Sequence, residues 1–200
     1  MIIWLATGNR HKKAEFAGIF SQHTLKIPAD EGIAFDPVET GKSFIDNALI
    51  KAQYLFSIVK TPVIADDSGL CVDALDGRPG IYSARYGNET TGRTLNDHER
   101  NMLLLQALQD KQCRSAHFVC AMVLFLGNDR LYAVQETLEG EILREEQGQG
   151  GFGYDTLVYL PDRKCTVASL SKEEKNRISH RGKAARSLQK AGVKDIKPQR

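Results

Sequence analysis

The sequence predicts an α/β fold built on a mixed β-sheet. Short β-branched runs and amphipathic helical stretches alternate at both ends of the chain, and two longer strand-like runs flank a hairpin signal in the middle. No internal repeat, low-complexity tract or Pro/Ser linker interrupts this order. Two hundred residues, 42% hydrophobic and 26% charged, suit one medium domain, or one domain of two lobes, with a proper core. Nothing approaches the roughly 18 consecutive apolar residues of a membrane span. The opening MIIWLAT is too short for a signal-peptide apolar region and lacks a basic flank, so the chain is expected to be cytoplasmic. Its four cysteines, Cys71, Cys113, Cys120 and Cys165, form no CxxC pair and no metal spacing, and are expected reduced and mostly buried.

Taken in order, IIWLAT (2–7) reads as a strand, Gly8-Asn9 as a turn, HKKAEFAGIFSQ (11–22) as an amphipathic helix and LKIPAD (25–30) as a second strand. SFIDNALIKAQYLFSIV (43–59) is a helix with Ser43 as N-cap and Asp46 completing a partial capping box. Its expected core face carries Ile45, Ala48, Leu49, Ala52, Leu55 and Phe56. TPVIA (61–65) is the next strand. TLNDHERNMLLLQALQ (94–109) is a third helix, opened by Thr94 or Asn96. HFVCAMVLFL (117–126) and RLYAVQETLEG (130–140) flank Gly127-Asn128-Asp129 as an antiparallel hairpin. TLVYL (156–160) follows a Gly-rich loop and precedes a turn at Pro161-Asp162. Ser171 and Glu174 cap a basic helical segment, interrupted near Ser179 to Gly182, and residues 194–200 are expected to fray.

Charge is distributed unevenly. Residues 172–200 hold ten Lys or Arg against three acids, while the rest of the chain is net acidic. That pattern suits a compact, metal-bridged polyanion better than a nucleic-acid polymer, which calls for a broad basic face.

Five clusters could carry chemistry. Asp66 and Asp67 follow an apolar strand, and Gly69 is expected to end that strand in a turn, which places both carboxylates where open α/β sheets put ligands. Adjacent carboxylates repel unless a cation or a shared proton lies between them; a solvated acidic turn is the alternative. Thr7 to Lys12 carry a strand into a helix whose first amides face outward, a phosphate-friendly arrangement without the GxxxxGK[ST] of a P-loop. An ordinary strand-turn-helix with surface lysines is the alternative there. Glu39 precedes the helix on which Asn47 and Lys51 share a face, and could give a hard cation an oxygen ligand. Four glycines in the six residues 148–153 surround Phe152, an aromatic platform for a base or a tucked hairpin residue. Lys175, His180 and Arg181 offer donors suited to phosphate and carbonyl oxygens.

The segments TGNxxK, ETGxSFxxNAxxKA, ADDSGLxVDxLxGxPGIYSARY, GGFGYD and EEKNxISHRGKA occur in this order. Together they closely resemble the inosine triphosphate pyrophosphatase family, over about residues 2–188. The resemblance implies a single two-lobed domain, with a long mixed sheet flanked by helices, an active-site cleft between the lobes, and a homodimer. It implies Mg2+-dependent hydrolysis of ITP, dITP, XTP and dXTP to the monophosphate and pyrophosphate. By position, Asp67 becomes the proton acceptor, Glu39 and Asp67 the metal-site acids, and Asp66 either a further ligand or a carboxylate behind them. Thr7, Gly8, Asn9, Arg10, His11, Lys12 and Lys51 become phosphate contacts. Ser68, Phe152, Gly153, Tyr154, Asp155, Lys175, His180 and Arg181 become the other substrate contacts. Thr156 stands where proline is usual in the family, and Ser169 where Glu is common. The Maf-type nucleotide pyrophosphatases, with other base preferences, and a non-catalytic purine-nucleotide sensor are the alternatives.

Overall fold

The computed structural model describes residues 2–21, 23–128 and 130–192, with the side chain of His11 left out. Gln22, Asp129 and the expected frayed tail at 194–200 lie outside the described residues. Seven strands form one mixed sheet in the order β2-β1-β3-β4-β5-β6-β7. They are β1 (Ile2–Leu5), β2 (Thr24–Lys26), β3 (Val63–Val72), β4 (Ser115–Gly127), β5 (Arg130–Ile142), β6 (Val158–Leu160) and β7 (Cys165–Thr166). Strand β1 pairs in parallel with β2 and with β3, whereas β6 pairs antiparallel with β5 and with β7. The helices are α1 (Arg10–Ile19), α2 (Phe44–Val59), α3 (Asn88–Thr91), α4 (Asp97–Ala107), α5 (Lys172–Ile178) and α6 (His180–Ala191).

The chain divides into two compact units. The first comprises Met1–Ser68, Cys120–Glu136 and Asn176–Arg200, the second Gly69–Val119 and Thr137–Lys175. Within the first, the sheet is covered on both faces, as a largely parallel sheet requires. Ile3, Leu5, Ile64, Cys120, Met122 and Leu124 pack with Phe16 of α1 and with Ala184, Ala185 and Leu188 of α6. Ala6, Val63, Ala65 and Val123 pack with Ala48, Ala52 and Leu55 of α2. The alternation along β3 therefore decides which helix each side chain meets. In the second unit, the Ser83 hydroxyl accepts the Leu70 amide at 2.8 Å, and the Tyr154 hydroxyl donates to the Ser83 carbonyl at 2.9 Å.

Several expectations hold and several need correcting. Ser43 caps α2 by accepting the Asp46 amide at 3.2 Å. Asn96, not Thr94, opens α4, in a reciprocal capping box with Glu99. Ser171 and Glu174 cap α5, and the interruption is Ser179 alone. Gly182 is helical, and a Cβ there would stand 1.9 Å from the Asn176 carbonyl oxygen, so glycine lets α6 start hard against the end of α5. Strand β2 stops at Lys26, because Pro28 starts a 3₁₀ turn over Pro28–Glu31 that a strand cannot accommodate. Ile45 is exposed rather than core. Of the cysteines only Cys120 is buried; Cys113 is exposed and the other two intermediate. The largest correction is β3 itself, which does not turn at Gly69 but runs on to Val72. Gly69 is buried and has no left-handed φ, so it continues the ladder, and Asp66 and Asp67 sit in mid-strand.

Candidate active site

Two groups of the expected residues come together, one in each unit. In the first unit, β3 presents its two carboxylates to opposite faces of the sheet. Asp66 faces α1 and α6. Its Oδ2 accepts from Lys12 Nζ at 2.6 Å and from the Ser68 hydroxyl at 2.6 Å, and Arg181 Nε lies 3.9 Å away. Asp67 faces α2, where Lys51 Nζ donates to Oδ1 at 2.8 Å and Asn47 Nδ2 to Oδ2 at 3.3 Å. Lys51 also lies 3.1 Å from Glu39, so one ammonium holds two carboxylates from separate segments. Asn47 and Lys51 stand one helical turn apart and are buried, although the polar face of such a helix is ordinarily solvated.

The two aspartates differ electrostatically. Burial pushes Asp66 up, but Lys12, Lys51 and Arg181 outweigh it and bring the carboxyl down to about 2. Asp67 moves the other way: burial raises it more than Lys51 lowers it. Burial pushes Lys51 down, yet Asp67 and Asp66 leave it above its ordinary value. The result is one carboxylate fixed as an anion beside one that protonates more readily.

The turn from Thr7 to Arg10, expected to face phosphate, is held by local bonds. Thr7 is buried at the end of β1, and its hydroxyl accepts the Asn9 amide at 3.0 Å. Asn9 Oδ1 accepts the Lys12 amide at 3.3 Å, so one first-turn donor is used by the cap. Gly8, Asn9 and Arg10 are exposed, and a Cβ at Gly8 would meet open space. His11 is the second residue of α1. His180 and Arg181 are buried at the start of α6.

In the second unit, the Gly-rich loop is tied down rather than slack. Asp155 Oδ2 accepts the Phe152 amide at 2.9 Å and Lys175 Nζ at 2.8 Å, and that ammonium lies 4.8 Å from the centre of the Phe152 ring. Gly151 has φ 76°, and a Cβ on it would stand 2.1 Å from Asp155 Oδ2. Gly153 also needs the left-handed region, at φ 65°. Burial raises the Tyr154 phenol, and its hydroxyl is spent on Ser83. Thr156 and Ser169 both make side-chain bonds. Thr156 donates to Glu146 at 2.9 Å, and Ser169 pairs with Thr166 at 2.9 Å.

Among the described residues no group of three or more His, Cys, Asp or Glu is arranged to hold a metal ion. Glu39 and Asp67 nevertheless converge on one cationic atom, Lys51 Nζ, and the buried Asp66 Oδ1 meets no hydrogen-bond donor among the described residues. A set of one or two carboxylates fits a hard cation that completes its shell with water and phosphate oxygens.

Four residues escape a reading of the sequence. Glu15 lies 3.2 Å from Arg181 Nη1, with both side chains nearly buried. Its place three residues after Lys12 on α1 was the available signal. Asp97, Asn101 and Glu146 hold the 152–156 segment. Asp97 and Asn101 share an i,i+4 face; Glu146 carries no local signal.

The chain is similar to known proteins over nearly its whole length. The dITP/XTP pyrophosphatase of Treponema denticola is 50% identical over 188 residues, covering 94% of this chain and 96% of the relative. That of Geobacillus kaustophilus is 43% identical, covering 93% and 91%. Among solved structures, the Ham1 protein of Staphylococcus aureus superposes with a TM-score of 0.85 at 37% identity, covering 98% of this chain and all of that one. A HAM1 protein from Coxiella burnetii gives 0.87 at 36% identity, with 97% and 99% covered. The Ham1 family profile matches residues 3–191, and with these likenesses it places the chain: it belongs to the Ham1 family.

Proposed function

We propose that this protein hydrolyses deaminated purine nucleoside triphosphates, ITP and XTP and their deoxy forms, to the monophosphate and pyrophosphate, with Mg2+ as cofactor. We propose further that it works as a single domain, as a cytoplasmic homodimer, with no membrane or nucleic-acid polymer as partner. No helix among the described residues is long and apolar enough to cross a membrane. The observation that carries the reading is the pair of carboxylates, Glu39 and Asp67, drawn onto Lys51 beside a second aspartate held by Lys12. The names of the relatives supply the substrate class.

On this reading Lys12, Lys51 and the turn from Thr7 to Arg10, with His11, take the triphosphate. Glu39 and Asp67 would hold Mg2+, which would supply positive charge to the phosphates and the departing pyrophosphate, while Asp66 stands on the opposite face of β3. Asp67 takes a proton from the attacking water as its oxygen bonds to the α-phosphorus. The α–β bridging bond breaks and its electron pair leaves with pyrophosphate. A carboxyl raised by burial is suited to that role, because a general base works best with a pKa nearer the working pH. Asp66, fixed as an anion, holds Lys12 and keeps Arg181 near.

Base contacts fall to Ser68, to Phe152 through Asp155, and to Lys175, His180 and Arg181. An N–H of Arg181 or of the nearby backbone donates to a 6-oxo group and is left unpaired against the 6-amino group of adenine, a mismatch that gives large discrimination. The test is a panel of about ten nucleoside triphosphates with Mg2+, followed by pyrophosphate release. Strong turnover of ITP and XTP over ATP and GTP is expected. Preference for pyrimidines, or tight ITP binding without turnover, overturns the reading.

A further inference from the structure

Phe152 is followed by Gly153 in a left-handed conformation, and α4 grips both ends of that glycine. Asp97 Oδ2 accepts the Gly153 amide at 2.6 Å, and Asn101 Nδ2 donates to the Gly153 carbonyl at 3.1 Å. The two side chains stand one turn apart on α4, and all these groups belong to the second unit. The Asn101 amide is itself aimed by others: Nδ2 lies 2.6 Å from Glu146 Oε1 and 3.2 Å from Thr156 Oγ1, and Thr156 donates to the same Glu146 oxygen at 2.9 Å. All three neighbours of Nδ2 are acceptors, which fixes the orientation of the amide. Its Oδ1 is buried and meets no donor among the described residues. The donor side of Asn101 is what the site uses.

We propose that Asn101, locked by Glu146 and Thr156, is a positioning residue for base recognition, setting the backbone at Gly153 and through it the Phe152 ring. The inference rests on Phe152 contacting the base. Thr156 thereby has a specific part: its hydroxyl accepts from Asn101 and donates to Glu146, which closes a side-chain bracket.

Asn101→Leu removes the bracket directly. Thr156→Val removes one hydroxyl at nearly constant volume, and Thr156→Ser restores the hydroxyl without the methyl. For each, kcat and KM for ITP, the inhibition constant of inorganic pyrophosphate and the thermal midpoint are measured with Mg2+. Loss of one ordinary hydrogen bond predicts a KM for ITP about fivefold higher in Thr156→Val, with a larger rise in Asn101→Leu. Saturating kcat and pyrophosphate inhibition should stay near wild type, and Thr156→Ser should behave as wild type. Should Asn101→Leu fail to fold, Thr156→Val alone decides. Three results overturn the inference alone: an unchanged KM in Thr156→Val, an equal weakening of ITP and pyrophosphate, or a Thr156→Ser as impaired as the valine variant. A wild-type protein that does not turn over ITP overturns the proposed function and this inference with it.

Discussion

Replacing Lys51 with methionine should destabilise the protein in a strongly pH-dependent way. The ammonium lies 2.8 Å from Asp67 and 3.1 Å from Glu39, and the side chains of the three are 8%, 10% and 25% exposed. Methionine keeps the stem and its packing but leaves two facing carboxylates with no cation between them. Breaking a buried pair by removing one partner typically costs about 3–5 kcal/mol. The quarter-exposed Glu39 sheds part of its share into water, so about 3 kcal/mol at pH 8 is the appropriate expectation. For a chain of this size that is about 6–12 °C in Tm. Asp67 offers an escape: its carboxyl is already raised by burial, and losing Lys51 raises it further. Once it is protonated, the repulsion disappears. A group whose folded pKa is raised contributes stability below its unfolded pKa and loses it as pH rises through the folded value. The deficit of Lys51→Met should therefore shrink between pH 8 and pH 5, and Mg2+ should restore more stability to the variant than to wild type, because the ion replaces the missing charge. Urea denaturation at both pH values, with and without Mg2+, measures all of this. A deficit of under about 1 kcal/mol at pH 8, well below the cost of breaking a buried pair, refutes the reasoning. An identical deficit at both pH values refutes it equally.

Asp67→Asn should lower kcat about a hundredfold or more, the usual contribution of a positioned base, while nucleotide binding measured at equilibrium stays nearly intact. Wild-type turnover would remove Asp67 from the proton-transfer role. Asp66 predicts the opposite pH trend to Asp67. With its carboxyl at about 2 against an ordinary 3.8, the folded state binds fewer protons, so its contribution is complete above the ordinary value and is lost as pH falls towards 2. Acid titration of the urea midpoint should flatten in Asp66→Asn, and an unchanged acid slope would contradict the assignment. Glu15→Gln leaves Arg181 without its 3.2 Å carboxylate partner and, because both side chains are nearly buried, should lower Tm by several degrees as well as raise KM for ITP several-fold, read from a thermal melt beside steady-state kinetics.

Most of the fold was legible because its signals are local. The capping residues Ser43, Asn96 and Ser171 each act within three or four positions, and each does what its spacing dictates. The hairpin around Gly127 and Asn128 is equally local. Gly69 misled for the complementary reason. Glycine is a breaker when the chain wants a positive φ, but here the ladder on either side, closed by a sheet partner far away in sequence, keeps it extended. Tertiary pairing outweighs local preference at that position, and it moves both aspartates from a strand end into mid-strand.

That displacement decides how the acids can act. At a turn, Asp66 and Asp67 could have bent towards one ion. In mid-strand the alternation of β3 sends them to opposite faces, which is why Asp66 collects Lys12 and Ser68 while Asp67 shares Lys51 with Glu39. The sequence suggested that Glu39, Asn47 and Lys51 belong together, yet only the packing of α2 on β3 says which aspartate they meet. Carboxylates on two faces need not compete for one proton or one cation. One can be held ionised by lysine and arginine while burial lifts its neighbour towards the range where it takes up a proton. The division of labour between adjacent identical residues thus follows from the two-residue repeat of a strand and from the charge that each covering helix supplies.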